Sequence, residues 1–436
     1  MSPVMIVLLM FLALVVLFVL GTPVAFALGT VGLTFIIAVL GPAKLQILPH
    51  AVFAQMSGEV LIAIPLFIMI GSLLDKSGIA DDMFELIYKW LGPMPGGLAV
   101  GTVLVCVVIA AIVGIVGAAT VTMGLIALPA MLSRNYKKEI AIGCISGGGA
   151  LGFLIPPSVT MIVYSSVTGV SIGKMFLGGI LPGLLLASLY IIYIIARSFA
   201  QPGICPAIPK EERATWAEKF LALKSLFLPF LLIFSIMGTI FLGLATPTEA
   251  SAVGALAAIG VVALHGKLNW DVFSSSLFRT ARLGSMVLWI IIGCLAFSTV
   301  INSLALPSFL TQIIKSVGLN PWVVLIAMMA SLFFLGMIMD DLPIIMITTP
   351  IYVPIITSLG FDPLWYGILF ILNMQMAYLT PPFGFVLFYM KGVVPEGITM
   401  GDIYRSVGPF ILLQAVGLII VMLFPQISLW LPSLMG

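Results

Sequence analysis

Ten apolar runs of membrane-spanning length occupy most of this 436-residue chain, at about 3–20, 23–40, 58–74, 140–165, 175–196, 226–243, 248–264, 283–304, 364–390 and 407–424. A crossing helix needs roughly 17–25 mostly apolar residues. Backbone in lipid finds no water to bond, so only helices and closed barrels cross, and runs of this length suit helices. Composition agrees: 62% of residues are hydrophobic and 8% charged, against about a quarter charged in soluble domains. The expectation is an all-α polytopic membrane protein with the lipid bilayer as its solvent. A net charge of +2 makes no case for nucleic acid as a partner. Run 3–20 precedes Ala25-Phe26-Ala27 in the manner of a cleavable signal, but the first basic residue is Lys44. Secretory signals begin with positive charge, so the run is read as a retained helix.

Two further runs, 98–132 and 321–357, are too long for one crossing and too short for two with a loop. Each is interrupted at its midpoint, by Gly114 to Thr120 and by Gly336 to Pro343. Half a membrane in, a turn and half a membrane out fits both, and such re-entrant backbone must be buried in protein or line a watery cavity. Long, tilted, kinked helices are the alternative. Two ordinary runs are also broken. Run 140–165 holds Gly152-Phe153-Leu154-Ile155-Pro156-Pro157-Ser158, and run 364–390 holds Leu379-Thr380-Pro381-Pro382-Phe383-Gly384. Paired prolines remove two donors and clash with the preceding turn, so both helices must open there.

These features recur at an offset of about 225 residues. Thr22-Pro23 matches Thr246-Pro247, Pro156-Pro157 matches Pro381-Pro382, Tyr164 matches Tyr389, and Pro182 matches Pro409 with a small slip. Internal repetition on this scale defines two structural units. The expected division is 1–200, a cytoplasmic linker at 201–225, and 226–436. Each unit has five crossings, one of them broken, plus a hairpin that does not cross, so an odd count inverts the second unit. Loop charge supports this. With both termini periplasmic, all but Lys44, Lys174 and Lys315 of the 18 Lys and Arg residues fall on the cytoplasmic side, as the positive-inside rule requires. Residues 78–91 and 305–319 look amphipathic and precede the hairpins, as arms or as packing elements.

Inverted repeats with discontinuous helices place a transport site near the midplane. Half-helix N-termini offer N–H groups to an anion, and freed carbonyls offer oxygen to a cation. Each tip is expected to face the break of its own repeat. Intramembrane carboxylates are rare and costly. Asp340 and Asp341 at the second tip, without a nearby Lys or Arg, suggest a cation such as Na⁺, with Thr380, Pro381 and Gly384 supplying further oxygen. The alternative is that one Asp caps a half-helix. A first cation site is expected from Gly114, Gly117, Ala118, Thr120, Gly152 and Pro156, mainly through carbonyls. Pro157, Ser158, Pro382 and Phe383 are the expected substrate contacts. Glu249 either supports the site or caps the helix near 248. The four cysteines and two histidines form no metal-ligand cluster in sequence and no cofactor is expected.

Together with Ile64-Pro65-Leu66-Phe67, Gly71, Thr246-Pro247-Thr248-Glu249-Ala250, Pro350 and Pro354, these motifs resemble the large membrane subunit of tripartite ATP-independent periplasmic (TRAP) transporters, within the ion-transporter superfamily. The resemblance covers essentially the whole chain. It implies Na⁺-driven uptake of a small organic acid, such as a C4-dicarboxylate or sialic acid, across the bacterial inner membrane. It also implies a small four-helix membrane subunit, a periplasmic substrate-binding protein as partners, and elevator-type movement. Many relatives are Ser-rich at the first tip where this chain reads Gly-Ile-Val-Gly-Ala-Ala-Thr, which leaves backbone ligation there. An autonomous Na⁺/dicarboxylate symporter of the same superfamily is the nearest rival. A channel would need a continuous polar pore, and an enzyme a catalytic cluster within the spans; neither is visible.

Overall fold

The computed structural model describes residues 2–114 and 116–435, apart from the side chains of Ser225 and Leu226. Ile115, inside the expected first tip, lies outside the described residues. The chain is helical, beginning with Pro3–Val19 and Val24–Phe35. By length and apolarity, 6 helices among the described residues can cross a membrane: Ile172–Ala200, Trp216–Phe241, Pro247–Leu264, Trp270–Ser303, Asp341–Ser358 and Met400–Leu423. A seventh follows if Pro42–Met56 and Glu59–Asp75, bent by 62°, are one span. The run expected at 58–74 forms the second limb of this bent pair, and Gly58 is extended (φ −68°, ψ 120°) where the limbs meet.

Both over-long runs fold as helix, short tip, helix. The first is Gly97–Val113 and Ala118–Leu132, the second Pro321–Gly336 and Asp341–Ser358. Arms of 17, 15, 16 and 18 residues run about 23–27 Å at 1.5 Å per residue. That exceeds half of a hydrocarbon core of about 30 Å, because the short tips leave almost the whole of each run helical. Both broken runs open at their prolines. Lys138–Ala150 tightens into a 3₁₀ turn at Leu151–Phe153 and resumes at Val159–Thr168, while Pro363–Tyr378 stops and Phe385–Lys391 resumes. Pro156-Pro157 and Pro381-Pro382 are cis peptides.

Two groups of helices pack around these elements. Val24–Phe35 lies along Trp270–Ser303 so closely that a Cβ on Gly32 would stand 2.5 Å from the Ala296 carbonyl carbon, and one on Gly293 would stand 2.2 Å from the Ala25 oxygen. Small residues let backbones meet where lipid gives no hydrophobic drive to associate. In the other group, Met400–Leu423 and both arms of the first hairpin pack on Lys138–Ala150. The two amphipathic segments differ. Ile79–Leu91 buries Ile79, Met83, Phe84 and Ile87, whereas Leu306–Val317 buries only Leu306. Segment 201–225 is more than a tether. Cys205 and Ile204 accept backbone bonds from Gly96 (3.0 Å) and Lys137 (2.8 Å). Glu212 receives Arg134 at 2.8 Å and Tyr88 at 3.1 Å. Arg134 and then Tyr88 hold the Glu212 carboxyl below the usual range.

Candidate functional site

The first tip meets the first break through backbone. Gly114 takes a left-handed conformation (φ +64°), and its carbonyl accepts the Val159 N–H at 3.4 Å. A Cβ there would stand 2.5 Å from the Pro157 oxygen. Gly117 (φ +92°) lies under the Tyr389 ring, at 2.5 Å from a built Cβ. Positive φ and absent space select glycine at both positions. Ala118 begins the second arm. Thr120 is buried against Gly149, and neither its hydroxyl nor that of Ser158 has a hydrogen-bond partner among the described residues. Gly152 and Pro156 are buried within the break.

The second tip works through side chains. Asp340 occupies the N-cap position of Asp341–Ser358, yet its carboxylate makes no capping bond and instead accepts from the Tyr378 phenol. Asp341 is only 6% exposed. Its backbone N–H donates to the Tyr378 oxygen at 3.0 Å, and its carboxylate lies 3.1 Å from that oxygen. Its other oxygen accepts from Thr160, on the first broken helix. The phenol has one proton for two carboxylates. Each buried carboxylate costs roughly several kcal/mol unless compensated, and Lys and Arg make no salt bridge to this pair. A chamber of about 150 Å³ is bordered by Gly114, Phe153, Thr160, Asp340, Asp341 and Tyr378. Phe153 meets Tyr378 edge to face at 4.6 Å, and Tyr378 lies 4.9 Å from Phe385.

Both tips and both breaks thus converge, but across the repeats as well as within them. The second tip reaches Thr160 of the first break, and the first tip reaches Tyr389 of the second. Thr380 spends its hydroxyl proton on the Met376 carbonyl at 2.8 Å, leaving its lone pairs. Gly384 turns the chain into Phe385–Lys391 with φ +47°, and Pro381 is half-buried before it. Pro382 and Phe383 are exposed, Phe383 by 49%, and neither borders the chamber, whereas Pro157 touches Gly114. Glu249 stands outside the site: it is exposed and closes a capping box, accepting the Thr246 N–H at 2.7 Å while Thr246 accepts its own at 3.2 Å. The helix-capping alternative is the one the structure adopts. Sequence reasoning passed over Thr160, Phe153 and Tyr378. The signal for two of them was present, since the repeat offset carries Phe153 onto Tyr378.

Residues 11–427 match the family described as the tripartite ATP-independent periplasmic transporter, DctM component. The chain is 32% identical to the C4-dicarboxylate TRAP transporter large permease protein DctM of Vibrio cholerae, over 98% of this chain and 97% of that one. It is 30% identical to the ectoine TRAP transporter large permease protein TeaC of Halomonas elongata, over 95% and 96%. It is also 30% identical to the isethionate TRAP transporter permease protein DctMQ of Oleidesulfovibrio alaskensis, over 94% of this chain and 64% of that longer one. Among solved structures the fold is similar to the Alcanivorax borkumensis YdaH transporter, with a TM-score of 0.63 at 13% identity over 90% of each chain. A multi-pass, all-helical chain matched in this way along nearly its whole length is a transporter permease and not an enzyme, and it belongs to the DctM large permease family of TRAP transporters.

Proposed function

We propose that this permease moves a small organic acid inward across the bacterial inner membrane, driven by Na⁺, by elevator-type movement of two inverted repeats. The observation that carries the reading is the chamber where two hairpin tips and the helices flanking two breaks converge on the half-buried Asp340 and the buried Asp341. The repeats run through 1–200 and 226–436, joined by 201–225, with both termini periplasmic. The Phe153–Tyr378 contact supports the inversion. Residues related by the repeat offset of about 225 meet each other, as a pseudo-two-fold axis through the site would make them do. Polar links between the outer helices and the hairpins include single hydrogen bonds, Thr122 to Asp75 at 3.0 Å and Ser298 to the Met346 carbonyl at 2.9 Å. Bonds of this kind can break and re-form as one part slides past the other.

The donor set fits a hard cation with oxygen ligands. Asp340 and Asp341 bring carboxyl oxygens and make no salt bridge among the described residues, with Thr380, Pro381 and Gly384 following in the adjoining break. At the first tip and break, Gly114, Gly117, Ala118, Gly152 and Pro156 are the candidate carbonyl donors, and the buried hydroxyls of Thr120 and Ser158 have no hydrogen-bond partner among the described residues. Bound Na⁺ would supply positive charge that lets a carboxylate cargo approach the two aspartates. The chain's own part is to hold that pair in place through Tyr378 and Thr160. Pro157, packed against Gly114, and Ser158 next to it are the candidate cargo contacts at the first break, and Pro382 and Phe383 would join them only after the second break moves inward.

A small membrane subunit and a periplasmic binding protein complete the system, a reading supported by the family and by the relative named DctMQ. C4-dicarboxylates and sialic acid are the cargo classes favoured, although relatives carry names for other solutes. The test is Na⁺-gradient-driven uptake of labelled organic acids into proteoliposomes, with and without both partners. Uptake that needs the gradient and both partners is expected. Uptake by this chain alone would identify an autonomous symporter, and gradient-independent flux would overturn the reading.

A further inference from the structure

A second and larger space, about 950 Å³, adjoins the carboxylate chamber. Val116, Leu283 and Tyr389 border both, so a thin wall divides them. Three charged residues line the larger space: Asp75, Arg279 and Arg282. Asp75 is fully engaged, receiving Arg279 at 2.8 Å and Thr122 at 3.0 Å. Arg282, one turn further along the same helix, is exposed and has no ion-pair partner among the described residues. A guanidinium stays protonated at any working pH and matches the geometry of a carboxylate. The chamber therefore gathers two carboxyl groups, and the vestibule beside it holds a guanidinium with no ion-pair partner among the described residues.

We propose that Arg282 is an anion-binding station on the translocation path, which takes the carboxylate of the cargo after it passes Tyr389. The inference rests on the organic-acid reading above. It supplies what that reading lacks, since an anion leaving two aspartates needs a positive group to receive it once their cation departs. A basic residue that only anchored its helix at lipid headgroups would have no need to border a cavity walled by the first hairpin tip. Gly117, Ala118 and Thr122 are part of that wall.

The test begins with a reporter whose reactivity does not depend on knowing the cargo. Ser285 lines the vestibule one turn from Arg282, and the four native cysteines are buried, so Ser285→Cys offers a single accessible thiol. The chain with its membrane subunit in nanodiscs is alkylated with an anionic and a cationic methanethiosulfonate. The anionic-to-cationic rate ratio is expected to fall about fivefold or more in R282Q, as loss of a nearby unit charge predicts, and to persist in R282K. An equal ratio in R282Q overturns the proposal. So does a preference seen in phosphatidylcholine but abolished by phosphatidylglycerol, because lipid headgroups would then own the site. A second arm measures Na⁺-driven uptake of succinate and N-acetylneuraminate, where R282Q should lose about tenfold. If the parent takes up neither acid while the labelling ratio follows Arg282, the organic-acid reading fails and the anion station stands. Uptake unchanged in R282Q overturns the station.

Discussion

At the first hairpin tip, Gly114 and Gly117 bring bare backbone against Pro157 and the Tyr389 ring. At the second, Asp340 and Asp341 reach outward to Tyr378 and Thr160. One tip is specified by the lack of side chains and the other by two charged ones, although they stand at related places in the chain. The difference separates two kinds of vulnerability. A site made from backbone fails by steric intrusion, which is abrupt. One made from side chains loses its bonds singly, in measurable steps.

The largest effect should come from filling the first tip. Gly117→Lys adds a Cβ where Tyr389 leaves no room and a backbone conformation that L residues resist. Transport should fall below detection while the protein still elutes as a single species; normal uptake would remove this tip from the translocation path. Next is Asp341→Asn, which keeps the shape and removes the charge. The half-saturating Na⁺ concentration should rise by about tenfold or more, since a bond to a charged group contributes about 1.5–3 kcal/mol. Unchanged Na⁺ dependence would show that the aspartate pair is structural. Without Na⁺ the variant should melt no lower than the parent, because burying an uncompensated carboxylate is itself costly.

Thr160→Val and Thr380→Ala then sharpen the contrast between contacts across and within the repeats. Thr160 donates to Asp341, whereas Thr380 donates to its own helix at Met376. The Thr160 variant should raise the half-saturating Na⁺ several-fold and the Thr380 variant about twofold or less; the reverse order would make Thr380 the direct ligand. The smallest effect lies far from both tips. Glu212 is held below the usual carboxylate range by Arg134, so its contribution is present above the unfolded value of about 4.3–4.5. It fades as pH falls through the lower folded value. Glu212→Gln should leave uptake unchanged and remove only this acid-side part of the melting curve. A change in Na⁺ dependence would tie the linker to the tips.

Much of the fold was legible because lipid imposes a simple rule. Runs of spanning length had to be helices, and Pro156-Pro157 and Pro381-Pro382 had to break theirs, whatever lay around them. The candidate site was legible where a residue is expensive in that solvent, as Asp340 and Asp341 are. Glu249 shows the limit, since the same residue type near an apolar run proves to be an exposed cap. Thr160 was hidden because a hydroxyl in an apolar helix costs little and advertises nothing, whereas Tyr378 could have been found by carrying Phe153 across the repeat offset.

The bend at Gly58, the docking of the linker through Ile204, Cys205 and Glu212, and the exposure of Pro382 and Phe383 followed from packing alone. Which segments are helical, where they break and which of them carry costly carboxylates could be read from the chain alone, because these depend on each segment and its solvent. Folding in three dimensions was needed to set Asp341 against Thr160 and Gly117 beneath Tyr389, and to leave Arg282 beside a cavity with no ion-pair partner among the described residues. The two pairings join residues 181 and 272 apart, and no local pattern encodes which side chain will be waiting across the gap.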